Sequence, residues 1–192
     1  MSLCGIQWVA IDDLKLTQIY LSQKKLDSVL TWFGADLANF LPVSVHDFLG
    51  NGTLYLTDGH TRTFAAWQKG IKMVPALYDE DDLVTCEIGQ ILYKHSIAWC
   101  NRFGLRHIST LQDRILGEAQ YEKLWRERCS HMHTLEEALL GGSIERNSFL
   151  TQKVALEQQD VYIYGVSKDC KMLYCEDACG NLLSIGNACT HL

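Results

Sequence analysis

One stretch constrains this chain more than any other: Leu54-Tyr55-Leu56-Thr57-Asp58-Gly59-His60-Thr61-Arg62-Thr63-Phe64-Ala65-Ala66, which reads as a strand, a glycine turn and a helix start. The first amides of a helix have no partner inside it, and the helix dipole adds partial positive charge at the same place. Gly59 gives a ligand room to approach the backbone, so the junction has the makings of an anion site. Arg62 and His60 add donors there, Arg62 as a fork that matches phosphate or carboxylate oxygens.

The rest of the chain limits what such a site can serve. With 192 residues, 47% hydrophobic and 21% charged, it can bury one good core and carry a small appendage. Its apolar runs fall short of the roughly 18 residues of a membrane span, and Met1-Ser2-Leu3-Cys4-Gly5 has no basic stretch ahead of an apolar one. A soluble, cytoplasmic protein with no membrane partner is expected. Seventeen basic against 23 acidic residues leave a net charge of -6, which argues against a general grip on nucleic acid. Arg102, Arg106, His107 and Arg114 do gather, but Glu118 and Glu122 follow, so a solvated helix face is expected there. The eight cysteines form no CxxC pair and no ribbon or finger spacing, and free thiols are expected.

Along the chain, Gln7 to Ile11 reads as a strand, and Ser22 as the N-cap of a helix over 23–33 with Leu26, Val29, Leu30 and Phe33 on one face and Gly34 at its end. Pro42 to Val45, the turn Asn51-Gly52 and Thr53 to Leu56 read as a hairpin leading into the glycine junction. The following helix buries Phe64, Ala65 and Trp67 and stops at Gly70. Val74 to Tyr78 reads as a strand whose Pro75 suggests an edge or a strand start. Asp79 to Asp82 suit a helix N-terminus. Residues 83 to about 140 read as mainly helical, with a capping box at Thr134-Leu135-Glu136-Glu137 opening a third helix. After Gly141-Gly142-Ser143, strands at 161–166, 171–175 and 181–185 predict a three-stranded meander. Three domains are expected: 1–82, a helical extension over 83–146, and 147–192, which alone is marginal and can act as a dimerisation element of a homodimer.

From Phe40 to Tyr78 the order of elements, with Thr57-Asp58-Gly59-His60-Thr61-Arg62 as the loop, Ala65-Ala66 in the helix, Gly70 at its end and Val74-Pro75-Ala76 beyond, resembles the ParB/sulfiredoxin superfamily. The resemblance implies an α+β fold: a small mixed sheet with helices, followed here by a helical segment and a C-terminal antiparallel β-meander. It implies a loop that binds nucleotide phosphates, with Gly59 and Arg62 matching the loop's glycine and closing arginine. His60 stands where sulfiredoxin has its reactive cysteine, which removes that nucleophile. The Gly-Glu-Arg-Arg of partitioning proteins is absent too, and the Asp-Gly-His-x-Arg form is most similar to the free-serine-kinase branch.

On that resemblance, Gly59, His60, Thr61 and Arg62 would bind ATP, ADP or CTP with magnesium, and Asp58 and His60 would be the catalytic pair, with Asp12, Asp13 or Glu80 as the base. The function implied is a small-molecule kinase or nucleotide hydrolase. A module that senses a ligand through the same cleft is the alternative, and DNA binding with nuclease activity ranks last. The same residues also read as a plain turn, in which Asp58 caps the helix, Arg62 pairs with an acid at 79–82 and His60 lies on the surface.

Overall fold

The computed structural model describes residues 5–33, 37, 39–187 and 189. The fold is mixed α+β, with a four-stranded mixed sheet and a C-terminal three-stranded antiparallel sheet. The chain divides into two compact units, Met1–Glu122 and Lys123–Leu192.

In the first unit, β1 (Gln7–Ala10) leads through a short 3-10 turn to β2 (Leu21–Ser22) and α1 (Gln23–Trp32). Ser22 caps α1, its hydroxyl accepting the Lys25 N–H. Leu26, Val29 and Phe33 are buried, but Leu30 is 41% exposed, because it lies on the flank of the stripe that those three define. Gly34, expected to end the helix, lies outside the described residues. β3 (Val43–His46) and β4 (Tyr55–Asp58) pair antiparallel as the hairpin pattern predicts. Their connection is a wide loop organised by the Asp47 carboxylate, which accepts the N–H groups of Leu49 and Gly52. α2 (His60–Gln68) ends at Gly70, whose φ of +77° closes the helix through bonds from Gly70 N–H to Trp67 and from Ile71 N–H to Ala66.

β5 (Met73–Tyr78) is a central strand in the order β1-β5-β3-β4, not the edge its proline suggested. Pro75 is tolerated because the ladder between β3 and β5 starts only at Ala76, one residue later. Asp81 caps α3 (Asp82–Thr85), in keeping with the acidic run at a helix start. Next come α4 (Glu87–Arg102), a 3-10 segment over Ile108–Arg114, and β6 (Ile115–Leu116), which pairs parallel with β2. Val43, Val45, Leu56, Phe64, Ala65, Val74 and Ala76 are buried where sheet and helices meet. Each fully buried large apolar side chain contributes about 1.5–3 kcal/mol.

Helical chain continues through α5 (Glu118–Tyr121), a π-turn over Glu122–Arg126 and α6 (Glu127–Leu140). No new helix starts at Thr134. Its hydroxyl donates to the Ser130 carbonyl one turn back, so α6 runs straight through the capping-box sequence. α7 (Arg146–Glu157), which the sequence pattern did not predict, is capped by the Glu145 carboxylate on the N–H groups of Asn147 and Ser148. The predicted meander follows as β7 (Val161–Val166), β8 (Met172–Asp177) and β9 (Leu182–Gly186). It closes over Leu135, Ala138, Ile144, Phe149, Val166 and Leu173. A Cβ on Gly165 would meet the His131 backbone at 2.5 Å, so only glycine lets α6 lie this close to β7. Also inside this unit, Arg128 of α6 and Glu176 of β8 form an ion pair, each side chain 3% exposed, with the guanidinium 4.4 Å over the Tyr164 ring.

Candidate functional site: the β4–α2 junction

Pairing with β3 places Asp58 opposite Ser44 at the end of β4, and Gly59 then turns the chain with φ +91° and ψ +13°. Glycine is required twice here. The left-handed backbone disfavours any side chain, and a Cβ would lie 2.6 Å from Val43 Cγ1 and 3.1 Å from a terminal nitrogen of Arg62. The space over Gly59 that the sequence reading left for a ligand is therefore filled by Val43 and Arg62.

No side chain caps α2, unlike α1, α3, α4 and α7, which Ser22, Asp81, Cys86 and Glu145 cap. The first helical bond runs from Thr63 N–H to the Gly59 carbonyl at 2.8 Å. Among the described residues, none accepts from the N–H groups of His60, Thr61 or Arg62. Three donors thus stand together at the positive end of the helix dipole.

Arg62 folds back over this end. One terminal nitrogen donates to Asp58 Oδ2 at 3.0 Å and to the Pro42 carbonyl at 3.3 Å, while the buried Nε has no hydrogen-bond partner. The Arg62 side chain is 20% exposed and that of Asp58 71%. Arg62 thus pairs with Asp58, not with an acid of 79–82. Burial works to raise the Asp58 carboxyl, but the Arg62 guanidinium and the Gly59 N–H outweigh it and hold it below the usual carboxylate value.

His60 turns inward. It is 4% exposed, and its Nε2 accepts the Thr17 N–H at 3.2 Å, while the Thr17 hydroxyl donates to the Leu56 carbonyl at 2.6 Å. An accepting Nε2 places the ring proton on Nδ1. Burial pushes the pKa down to about 4 against the pull of Asp58, so the ring is neutral at pH 7. The surface placement open to His60 in the plain-turn reading is not what the fold produces. Thr61 is half-buried and offers its backbone N–H.

The acids considered as a base lie elsewhere. Asp12 and Asp13 follow β1, at the far edge of the sheet from β4. Glu80 and Asp82 follow β5, Asp82 in the first turn of α3. Beside them the fold builds a polar cluster that the sequence did not reveal. Thr57 donates to the Asp79 carboxylate, His46 Nδ1 lies 2.8 Å from the Asp79 carbonyl, and Gln90 Nε2 is 3.2 Å from His46 Nε2. Its members come from β3, β4, the end of β5 and α4, and only the leading acid of the Asp79 run hinted at it. Among the described residues no three His, Cys, Asp or Glu side chains come together as a metal cradle, and none of the helices is long and apolar enough to cross a membrane.

No family model and no curated protein matches the chain. Among solved structures, a free serine kinase in complex with AMP is 17% identical over 43% of this chain and 32% of its own, with a TM-score of 0.33. A mutant of that kinase in complex with ADP is 16% identical over 45% of this chain and 34% of its own, with a TM-score of 0.34. A protein from Agrobacterium tumefaciens is 18% identical over 73% of this chain and 70% of its own, with a TM-score of 0.37. The chain spans about a third of the length of the kinase it matches. At these TM-scores the likeness assigns no function.

Proposed function

We propose that this chain binds a nucleotide through its phosphates at the start of α2, and that it acts as a phosphotransferase or nucleotide phosphohydrolase. The observation that carries this reading is the uncapped helix start: three unaccepted N–H groups beside a guanidinium held at their mouth. A phosphate takes all of these donors at once, and it exchanges with Asp58 on the Arg62 fork. The residues of the motif divide the work. Gly59 shapes the turn, the His60, Thr61 and Arg62 amides and the Arg62 guanidinium bind, and Asp58 is the acid that touches the reacting phosphate or its metal. His60 fixes the loop by its bond to Thr17.

A magnesium ion is held in nucleotide sites by one or two carboxylates plus the phosphates and water, so the single carboxylate of Asp58 fits it. Bound there, the ion would supply charge neutralisation on the phosphates. We also propose that the chain is organised as residues 1–82, 83–146 and 147–192 and that it forms a homodimer through the meander.

The burial of His60 favours a second reading. A neutral ring already used as an acceptor by Thr17, with Asp12 and Asp13 at the opposite sheet edge, describes a site that binds without turnover. Calorimetric titration with ATP, ADP and CTP in the presence of magnesium tests the shared premise. Saturable binding of at least one nucleotide is expected, and no binding at millimolar ligand overturns it. Phosphate release, or a phosphorylated product seen by mass spectrometry, then separates the enzyme from the sensor.

A further inference from the structure

Apart from the β4–α2 junction, the first unit holds a cavity of about 440 Å³ beside the start of β4, between the Lys15–Leu16 segment, the last turns of α4 and the chain around residue 106. Its floor is mixed, with Ile97, Cys100 and Leu105, all buried, beside the polar side chains of Thr53 and Asn101 and the ring of Tyr55. Its rim carries Lys15, Arg106 and His107, and no aspartate or glutamate lines it. Among the described residues no carboxylate pairs with any of these three side chains. In a chain of net charge -6, cationic side chains facing one hollow with no acid beside them are out of keeping with the surface as a whole.

The backbone under these side chains is fixed. Lys15 donates its N–H to the Leu54 carbonyl and accepts from Leu56 N–H, both at 2.9 Å, which ties it to β4. Leu105 N–H bonds the Cys100 carbonyl at 2.8 Å, and Leu105 and Ile108, both buried, bracket Arg106 and His107. The cations are therefore presented by a rigid frame. The Cys100 thiol in the floor, raised to about 12 by burial although Arg114 pulls it down, stays protonated and behaves as an apolar surface.

We propose that this cavity binds a small phosphomonoester, its phosphate on Lys15, Arg106 and His107 and its apolar part on Ile97, Cys100 and Leu105. A lysine and an arginine with an imidazole beside them suit a group carrying close to two negative charges better than a single carboxylate. The site is separate from the proposed nucleotide loop: Thr53 and Tyr55 at the start of β4 line the cavity, whereas Gly59 follows the strand's other end. The segment between them is continuous, since Lys15 flanks Tyr55 and Thr17 reaches His60, so a ligand here sits two residues from the anchor of the loop.

The test uses the full chain and benzylphosphonate, a non-hydrolysable probe with a dianionic head and an apolar ring, followed by calorimetry. Saturable binding is expected, weakened about tenfold or more in Lys15→Gln/Arg106→Gln. Arg106 is exposed and Lys15 half-buried, and an unchanged melting curve confirms that the variant is folded. Orthophosphate is expected to bind more weakly than benzylphosphonate. No saturation, equal affinity in wild type and double variant, or orthophosphate binding as tightly as the probe overturns the assignment. Binding lost in Arg62→Gln but kept in Lys15→Gln/Arg106→Gln also overturns it, by placing the probe in the loop. Nucleotide binding is read separately, so failure of either site leaves the other standing.

Discussion

The molecule holds two arginine–carboxylate pairs of the same design, a helix arginine on a strand acid, in opposite surroundings. Arg128 and Glu176 are 48 residues apart in sequence, and each side chain is 3% exposed. Arg62 and Asp58 are four apart, with Asp58 71% exposed. The buried pair has no access to solvent or ligand, so its charges serve the fold of the second unit. The second pair is open on its Asp58 side, with Arg62 20% exposed, so water or a phosphate can take the place of that carboxylate on the guanidinium. The same chemistry is structural where it is sealed and available for binding where it is open.

The sharpest way to break this contrast is to remove one charge from each pair. Glu176→Ala removes the carboxylate paired with the buried Arg128 guanidinium and is expected to cost about 3–5 kcal/mol in chemical denaturation. Arg128→Met/Glu176→Leu should recover most of it, and a loss as large as that of the single variant would show that the pair is not sealed. Next in size is His60, which lies beneath the open pair. Its folded pKa of about 4 lies below the 6.5 of an unfolded chain. Between those values the unfolded chain binds the extra proton, so this contribution is complete above pH 6.5 and is lost as pH falls towards 4, by roughly 3 kcal/mol in all. Denaturation across that window should show the slope, and His60→Gln should flatten it. Gly59→Ala follows, at about 1–3 kcal/mol for the left-handed backbone and the approach to Val43. Adding Val43→Ala should relieve only the steric part. Smallest is Arg62→Ala, whose stability should stay within about 0.5 kcal/mol of wild type by thermal melting. A loss of several kcal/mol there would mean that the open pair is structural after all.

Local signals were legible where a single residue type solves a single backbone problem. Ser22 reads as a cap because a hydroxyl is needed there, Gly70 as a stop because φ is positive, and the meander because its turns carry Asp169 and Gly180. What escaped depends on distant partners. Pro75 looks like an edge residue until the register of β3 is known. Thr134 looks like a cap until the helix is seen to begin earlier. α7 hid because Phe149 is its only buried residue, which leaves almost no apolar stripe. At the junction, the strand–glycine–helix order is local and readable. The inward turn of His60 is not, since its partner Thr17 lies 43 residues away, and neither is the choice of Asp58 over the acids at 79–82 as the partner of Arg62, which the placement of β5 decides.

Amide chemical shifts followed by NMR during titration with ATP and magnesium read phosphate binding at the junction itself, because they report on the three unaccepted N–H groups. The largest changes should fall on His60, Thr61 and Arg62, and Arg62→Ala should weaken the titration about tenfold or more without moving the melting temperature. Unmoved amides at these three positions, with saturation appearing elsewhere or not at all, would contradict it.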